Sequence, residues 1–476
     1  MKAKTALLWL TTLGLGEIVW LWGIYQSAVY RSGEIAFWQL ALAGLLILAG
    51  IGLVLLLTRW GFQGDYTVLA IVLTLYHCGL LLQFRLQSVP EELSATEKAI
   101  LTENIKSHFV FTEEQKTPPI ARRFLFPTPP VGKSLISFLG LSAIMLGFWQ
   151  FRRHPELVQF LPAKLRPWRL ALFIVLVLFW VILLFYKNNM STKFISVAAQ
   201  LAKVPLAILG AKLLSHFKLQ AEAQDEGHGF KEFFRRPPEM PVLLLFLAIT
   251  ALPALGFGWF QDAGFLMLYA VLVISLLFAS GTQSRLVLLA PVLIMLWLTT
   301  VLAVPFNRMN RISQEWESLG NIDMAATNAP ADAETAKRAG HLFSADHSGM
   351  IGYGPETIIF PHQNSKDERH TFTNVINLGG KISAILILML YSFLLIQSLA
   401  ESRALRQTVG VSKSLALLGS GVMLGGEALV HILSATLLIP ASLATLPFID
   451  HSPVSFLASS FLAAYLMFPA VEFSGK

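Results

Sequence analysis

Apolar runs of spanning length, separated by charged connections, recur along most of the chain. A helix needs about 20 apolar residues to cross a hydrocarbon core. By that measure there are about twelve spans: 5–26, 36–58, 65–84, 134–151, 169–187, 193–216, 240–259, 264–281, 286–305, 376–400, 412–439 and 453–472. Two polar stretches break the rhythm, 85–133 and 306–374, both longer than a tight connection requires. The pattern predicts an all-α, polytopic integral membrane protein with two large loops.

The basic residues orient it. Arg152, Arg153, Lys164, Arg166 and Arg169 fill one connection, Lys218, Lys231, Arg235 and Arg236 a second, and Arg403, Arg406 and Lys413 a third. Basic residues collect on the cytoplasmic side. With Lys2 and Lys4 also inside, twelve spans put all three connections in the cytoplasm, both termini with them, and both large loops outside. The first run, to Trp22, is too long for a signal peptide and ends in Trp and Tyr without a small-residue cleavage site, so it reads as a retained span.

Composition agrees. Of 476 residues, 55% are hydrophobic and only 14% charged, against roughly 25% charged in soluble domains. The net charge of +7 is explained by cytoplasmic loops and needs no nucleic-acid partner. Cys78 is the single cysteine, which excludes an intrachain disulfide. In the first loop a helix is predicted over Glu91–Phe109, followed by Pro-rich chain. Gly132-Lys133-Ser134 is no phosphate loop, because Pro127 stands where that motif needs Gly and no strand precedes it.

Ionisable side chains within spans are candidates for function. Lys203 lies mid-span, three residues after Gln200, so the two share a helix face. A buried lysine needs an anionic partner or a water-filled cavity. Asp262 interrupts two apolar runs, as a site residue or as a cap for the helix that follows. Lys381 can snorkel to the interface. Glu427 and His431, four apart, form a predicted packing or hydrogen-bonding pair, preceded by a helix-packing face of Gly421, Gly425 and Gly426. The loop histidines His341, His347, His362 and His370 lack metal-site spacing and read as solvated residues. No GxSxG, HExxH or paired CxxC occurs.

Several stretches, in order, resemble the SEDS family of polytopic cell-wall proteins, the FtsW/RodA/SpoVE group. Lys193-Phe194-Ile195 with Gln200-Leu201-Ala202-Lys203 resembles its RWI…QPSExxK, with Gln200 in the Glu position and Lys203 in the Lys position. Gln261-Asp262-Ala263-Gly264 resembles QPDLG, and Pro305 through Ile312, with Arg308 and Arg311, resembles PYRxxRI. Ser348 through Gly354 is similar to GSGGLxGxG, and Leu438 through Ile449 to LLPVTGxxLPFIS. The resemblance covers 65–472, so that 1–64 are two added N-terminal spans and 65–476 the family-like core.

The resemblance implies a glycosyltransferase that polymerises lipid II on the outer face of a bacterial inner membrane, in division, elongation or shape control. It also implies a class B penicillin-binding protein as partner. The family's catalytic Asp, in a PExHTDF context, corresponds to Asp367 after one inserted residue, while His370-Thr371-Phe372 gives a second frame without an Asp. Asp367 is thus the expected base. Lys203, Gln200, Asp262, Arg308 and Arg311 are the expected substrate-binding residues. A divalent cation could assist the leaving diphosphate, but the sequence offers no ligand set and no other cofactor is implied. A Gln at 200 cannot neutralise Lys203. Two rival readings stay open: a non-catalytic scaffold for a cell-wall partner, and a transporter or flippase of a polyprenyl-linked substrate, motivated by Lys203, Asp262 and Glu427.

Overall fold

The computed structural model describes residues 3–31, 37–62, 64–87, 130–153, 200, 203–204, 207–208, 211, 263–280, 349–351, 371–408, 411–439, 442, 444–450 and 452–467. Among them the structure is all-helical: α1 (Ala3–Arg31), α2 (Phe37–Arg59), α3 (Tyr66–Gln87), α4 (Pro130–Arg153), α5 (Ala263–Ser280), α6 (Thr371–Thr408), α7 (Val411–Ala435) and α8 (Pro453–Met467). Five of these (α1, α2, α3, α6 and α7) are long and apolar enough to cross a membrane. The predicted spans 169–187, 240–259 and 286–305 lie outside the described residues, as do most of 193–216 and the Glu91–Phe109 helix.

The described helices are layered around α3 and α7. In each, 78% of the most apolar window is buried, against 28% for α1 and 22% for α6, so α1 and α6 are peripheral. On α6 the outward stripe is Ile385, Leu386, Met389, Phe393 and Ile396, the pattern of a helix facing lipid. The inner face of α6 packs on α7, which also contacts α5 and α8. α8 in turn meets α3 and α4, and α1 packs on α2 and α3. Small residues let α7 approach its neighbours closely. A Cβ at Gly426 would stand 2.6 Å from Leu268 Cδ1, and one at Gly419 3.1 Å from the Ala207 carbonyl. The predicted glycine face is a packing face.

Polar contacts fix the helix ends. Asp65 Oδ1 caps α3 by accepting from the Thr67 amide at 2.7 Å, and its Oδ2 accepts from Gln397 Nε2 on α6 at 2.9 Å. Arg406 donates to the Ala279 carbonyl in the last turn of α5 at 3.0 Å, a cation at a helix C-terminus. The first helix is tied to α3 inside the protein, where Glu17 Oε2 stands 2.9 Å from His77 Nδ1.

Two boundaries differ from the sequence reading. The predicted span 412–439 stops as a helix at Ala435. Leu438 N–H reaches the Leu433 carbonyl at 2.9 Å and Leu437 N–H the Ser434 carbonyl at 3.2 Å. With Leu437 at φ 62, this is a Schellman stop with leucine in the place usually held by glycine. At the other boundary Thr371–Asn374, read as the end of the external loop, are the buried first turn of α6.

α6 itself is broken at Gly380 (φ 72, ψ −172), a conformation essentially reserved for glycine. The break frees two amides. Lys381 N–H donates to the Gly349 carbonyl at 3.1 Å and Ile382 N–H to the Met350 carbonyl at 3.2 Å. The glycine-rich centre of the large loop therefore seats on the start of the second half of α6.

Candidate functional site

Beyond the Schellman stop the described residues 442 and 444–450 are without regular helix, and 444–450 are all buried. Buried irregular backbone must find protein partners for its polar groups. α7 does much of this. Its register puts Glu427 and His431 one turn apart on one face. His431 Nδ1 lies 2.9 Å from the Ala444 carbonyl. A carbonyl only accepts, so Nδ1 carries the proton. Glu427 Oε1 accepts from Thr445 Oγ1 at 2.8 Å and from the Thr445 amide at 3.3 Å. From α6, the Tyr391 hydroxyl donates to the Pro447 carbonyl. The Ser442 amide donates to Ser434 Oγ at 3.1 Å. The segment then turns back through Phe448 at φ 67, whose ring meets Phe456 of α8 edge-on at 5.7 Å. A non-glycine residue held at such a φ stores strain of about 1–3 kcal/mol.

Gln200 and Lys203, from the 193–216 run, complete the cluster. Lys203 Nζ donates to Glu427 Oε2 at 2.6 Å and to Ser459 Oγ of α8 at 3.2 Å. Gln200 Nε2 donates to Glu427 Oε1 at 2.9 Å, with Thr445 Oγ1 3.3 Å away. Thr445 Oγ1 and Ser455 Oγ are 2.5 Å apart, and since the threonine proton goes to Glu427, the serine is the donor. All of this is sealed. The side chains of Lys203 and Glu427 are both 0% exposed.

Glu427 thus receives four donors: one on Oε2 and three on Oε1. Three donors crowd Oε1 and Lys203 holds Oε2, so this sealed carboxylate is committed to partners within the protein. Its chemistry is to hold a charge and three pieces of chain in fixed relation. Two acceptor positions nearby stay unfilled, Gln200 Oε1 and His431 Nε2.

Of the predicted site residues, the structure brings Gln200 and Lys203 together on one carboxylate, as their shared helix face requires. Asp262, Arg308, Arg311 and Asp367 lie outside the described residues, as do the four loop histidines. The predicted Glu427/His431 pair proves to be two neighbours with separate tasks, one on Lys203 and Thr445, the other on Ala444. Sequence reasoning missed Thr445, Ser455 and Ser459. The i, i+4 spacing of the two serines within an apolar helix was the available signal. Also missed were Thr371, Thr373, Asn374 and Asn377, buried on the first segment of α6. Among the described residues no group of three or more His, Cys, Asp or Glu side chains gathers as a metal site.

No family model matches the chain. It is 26% identical over 226 residues to the probable peptidoglycan glycosyltransferase FtsW of Dichelobacter nodosus (strain VCS1703A). The match covers 46% of this chain and 54% of that protein, so the chain spans about half the length of the curated relative it matches. A chain from the solved assembly described as "Structural coordination of polymerization and crosslinking by a peptidoglycan synthase complex" aligns over 70% of this chain and 96% of its own, with 18% identity and a TM-score of 0.37. The likeness to FtsW agrees with the resemblance carried by the motifs. Together with the apolar helices, it makes this a multi-pass membrane protein.

Proposed function

We propose that the chain is a lipid-linked glycosyltransferase of the SEDS type, polymerising lipid II on the outer membrane face beside a class B penicillin-binding protein. The observation that carries this reading is the 226-residue likeness to a probable peptidoglycan glycosyltransferase. The buried Lys203, paired at the position that resembles the family's lysine, is in keeping with it.

The reaction needs a base to take the proton from a sugar hydroxyl as its oxygen attacks the anomeric carbon of a second lipid-linked sugar, whose diphosphate leaves. Glu427, sealed from solvent and engaged by Lys203, is unsuited to that task. Asp367 in the polar loop is the proposed base. Arg308 and Arg311 are proposed to meet diphosphate oxygens, for which a guanidinium fork is well shaped. Asp262 is proposed to lie at the same substrate site. Gln200 and Lys203 belong to the proposed site from beneath, through the network that fixes the 442–450 segment.

The test is polymerisation of labelled lipid II by purified protein. Wild type should extend glycan chains, and Asp367→Asn should abolish extension with the fold retained. Unchanged turnover in Asp367→Asn would remove Asp367 as the base.

One observation favours a second reading, a non-catalytic scaffold for a cell-wall partner. Lys203 is sealed from solvent and already neutralised, which a structural role explains without substrate. That reading expects no polymerisation by wild type, and partner co-purification unaffected by substitutions at Asp367 and Lys203.

A further inference from the structure

We propose that Glu427 is a positioning residue of this site, supplying from α7 the charge that Lys203 requires and that Gln200, one turn away on Lys203's own helix, lacks. The activity arm of the proposal rests on the polymerase reading above.

A fully buried ammonium persists only with a counter-charge at contact distance. Gln200 cannot supply one, since its amide is neutral and presents Nε2, a donor, to the cluster. Glu427 does so at 2.6 Å from a helix more than 200 residues further along the chain. The same carboxylate holds both the amide and the hydroxyl of Thr445. Glu427 therefore sets Lys203 and the irregular segment in one register.

The arrangement is an amide and a carboxylate facing each other at 2.9 Å, and it is reversible in principle. Glu at 200 and Gln at 427 are isosteric with the residues they replace. Exchanging them turns the hydrogen bond around, keeps the net charge, and leaves a carboxylate beside Lys203 on its own helix face. Position 200 is also within reach of Thr445, whose Oγ1 lies 3.3 Å from Gln200 Nε2.

The experiment compares wild type, Glu427→Gln and the exchange variant Gln200→Glu/Glu427→Gln, with two readouts. In the lipid II assay Glu427→Gln should lose turnover by about 10–100-fold, the scale of a small misplacement of reacting groups, with KM little changed. The exchange variant should recover most of that loss. The second readout does not depend on activity. A cysteine placed at Ile449, which is 0% exposed, in a Cys78→Ala background should resist maleimide in wild type and exchange variant and be labelled in Glu427→Gln.

Two results would overturn the proposal: wild-type turnover and protection in Glu427→Gln, or an exchange variant that melts like wild type yet stays as slow and as labelled as Glu427→Gln. If Glu427→Gln fails to fold, rescue of folding, protection and turnover by the exchange variant upholds the proposal, and failure of that rescue overturns it. Labelling that follows the expected pattern in a protein that never polymerises lipid II would sink the polymerase reading and leave Glu427's positioning role standing.

Discussion

Truncating the two ends of the Lys203–Glu427 pair should cost unequal amounts of stability. Removing one partner of a buried ion pair costs about 3–5 kcal/mol, because the other charge is stranded. After Lys203→Met, Glu427 keeps three donors, from Gln200, the Thr445 amide and the Thr445 hydroxyl, so its charge stays partly compensated. That substitution belongs at the low end, about 3 kcal/mol. After Glu427→Leu, Lys203 keeps only Ser459 Oγ among these contacts, and the Gln200 and Thr445 donors lose their acceptor. Each buried group left unpaired adds about 1–3 kcal/mol, which carries this variant to the top of the range or past it. The double variant removes both members of the pair and should be more stable than Glu427→Leu alone. Reversible denaturation of purified protein in mixed micelles measures all three, with a variant at the exposed Arg403, Arg403→Met, as a reference. Equal costs for the two single variants, adding to within about 0.5 kcal/mol in the double, would show that the pair does not carry the energy assigned to it.

Two further substitutions test the supports of the loop and the irregular segment. Gly380→Ala forces a side chain into a glycine-only conformation and should cost about 1–3 kcal/mol. It should also speed amide exchange at Lys381 and Ile382, whose bonds to the Gly349 and Met350 carbonyls depend on the break. Tyr391→Phe strips the Pro447 carbonyl of its donor in a buried setting. The loss should be about 1–3 kcal/mol, seen as a lower midpoint in the same denaturation series.

The five spanning helices among the described residues were legible because a membrane imposes a length and an apolar composition, and both are local properties of sequence. What closed or bent the helices was less so. Leu437 ends α7 in a conformation that glycine would have announced, and a leucine in an apolar run reads as continuation. The break at Gly380 depends on carbonyls from residues 349–350, which no local window contains. Thr371–Asn374 were assigned to the loop on polarity alone, yet tertiary packing buries them as helix. At the site, the shared face of Gln200 and Lys203 followed from spacing, and the need of Lys203 for an anion followed from electrostatics. Which carboxylate would answer was not encoded nearby. Glu427 had a visible neighbour in His431, and i, i+4 proximity suggested a pair that the long-range partners displaced.

The break in α6 has a consequence for how the protein sits in its bilayer. Residues 381–400 form a largely apolar helical stretch, with exposed Lys381 at its start and Glu401, Arg403 and Arg406 beyond its end. At 1.5 Å per residue these 20 residues measure about 30 Å, the thickness of a typical hydrocarbon core. The charges at either end act as stops on a ruler. Because the second half of α6 begins where the glycine-rich turn seats, a change in membrane thickness would press on the large loop through Lys381. A thinner bilayer would be met by tilting α6 or by exposing apolar turns, and a thicker one by drawing a charged stop toward the hydrocarbon.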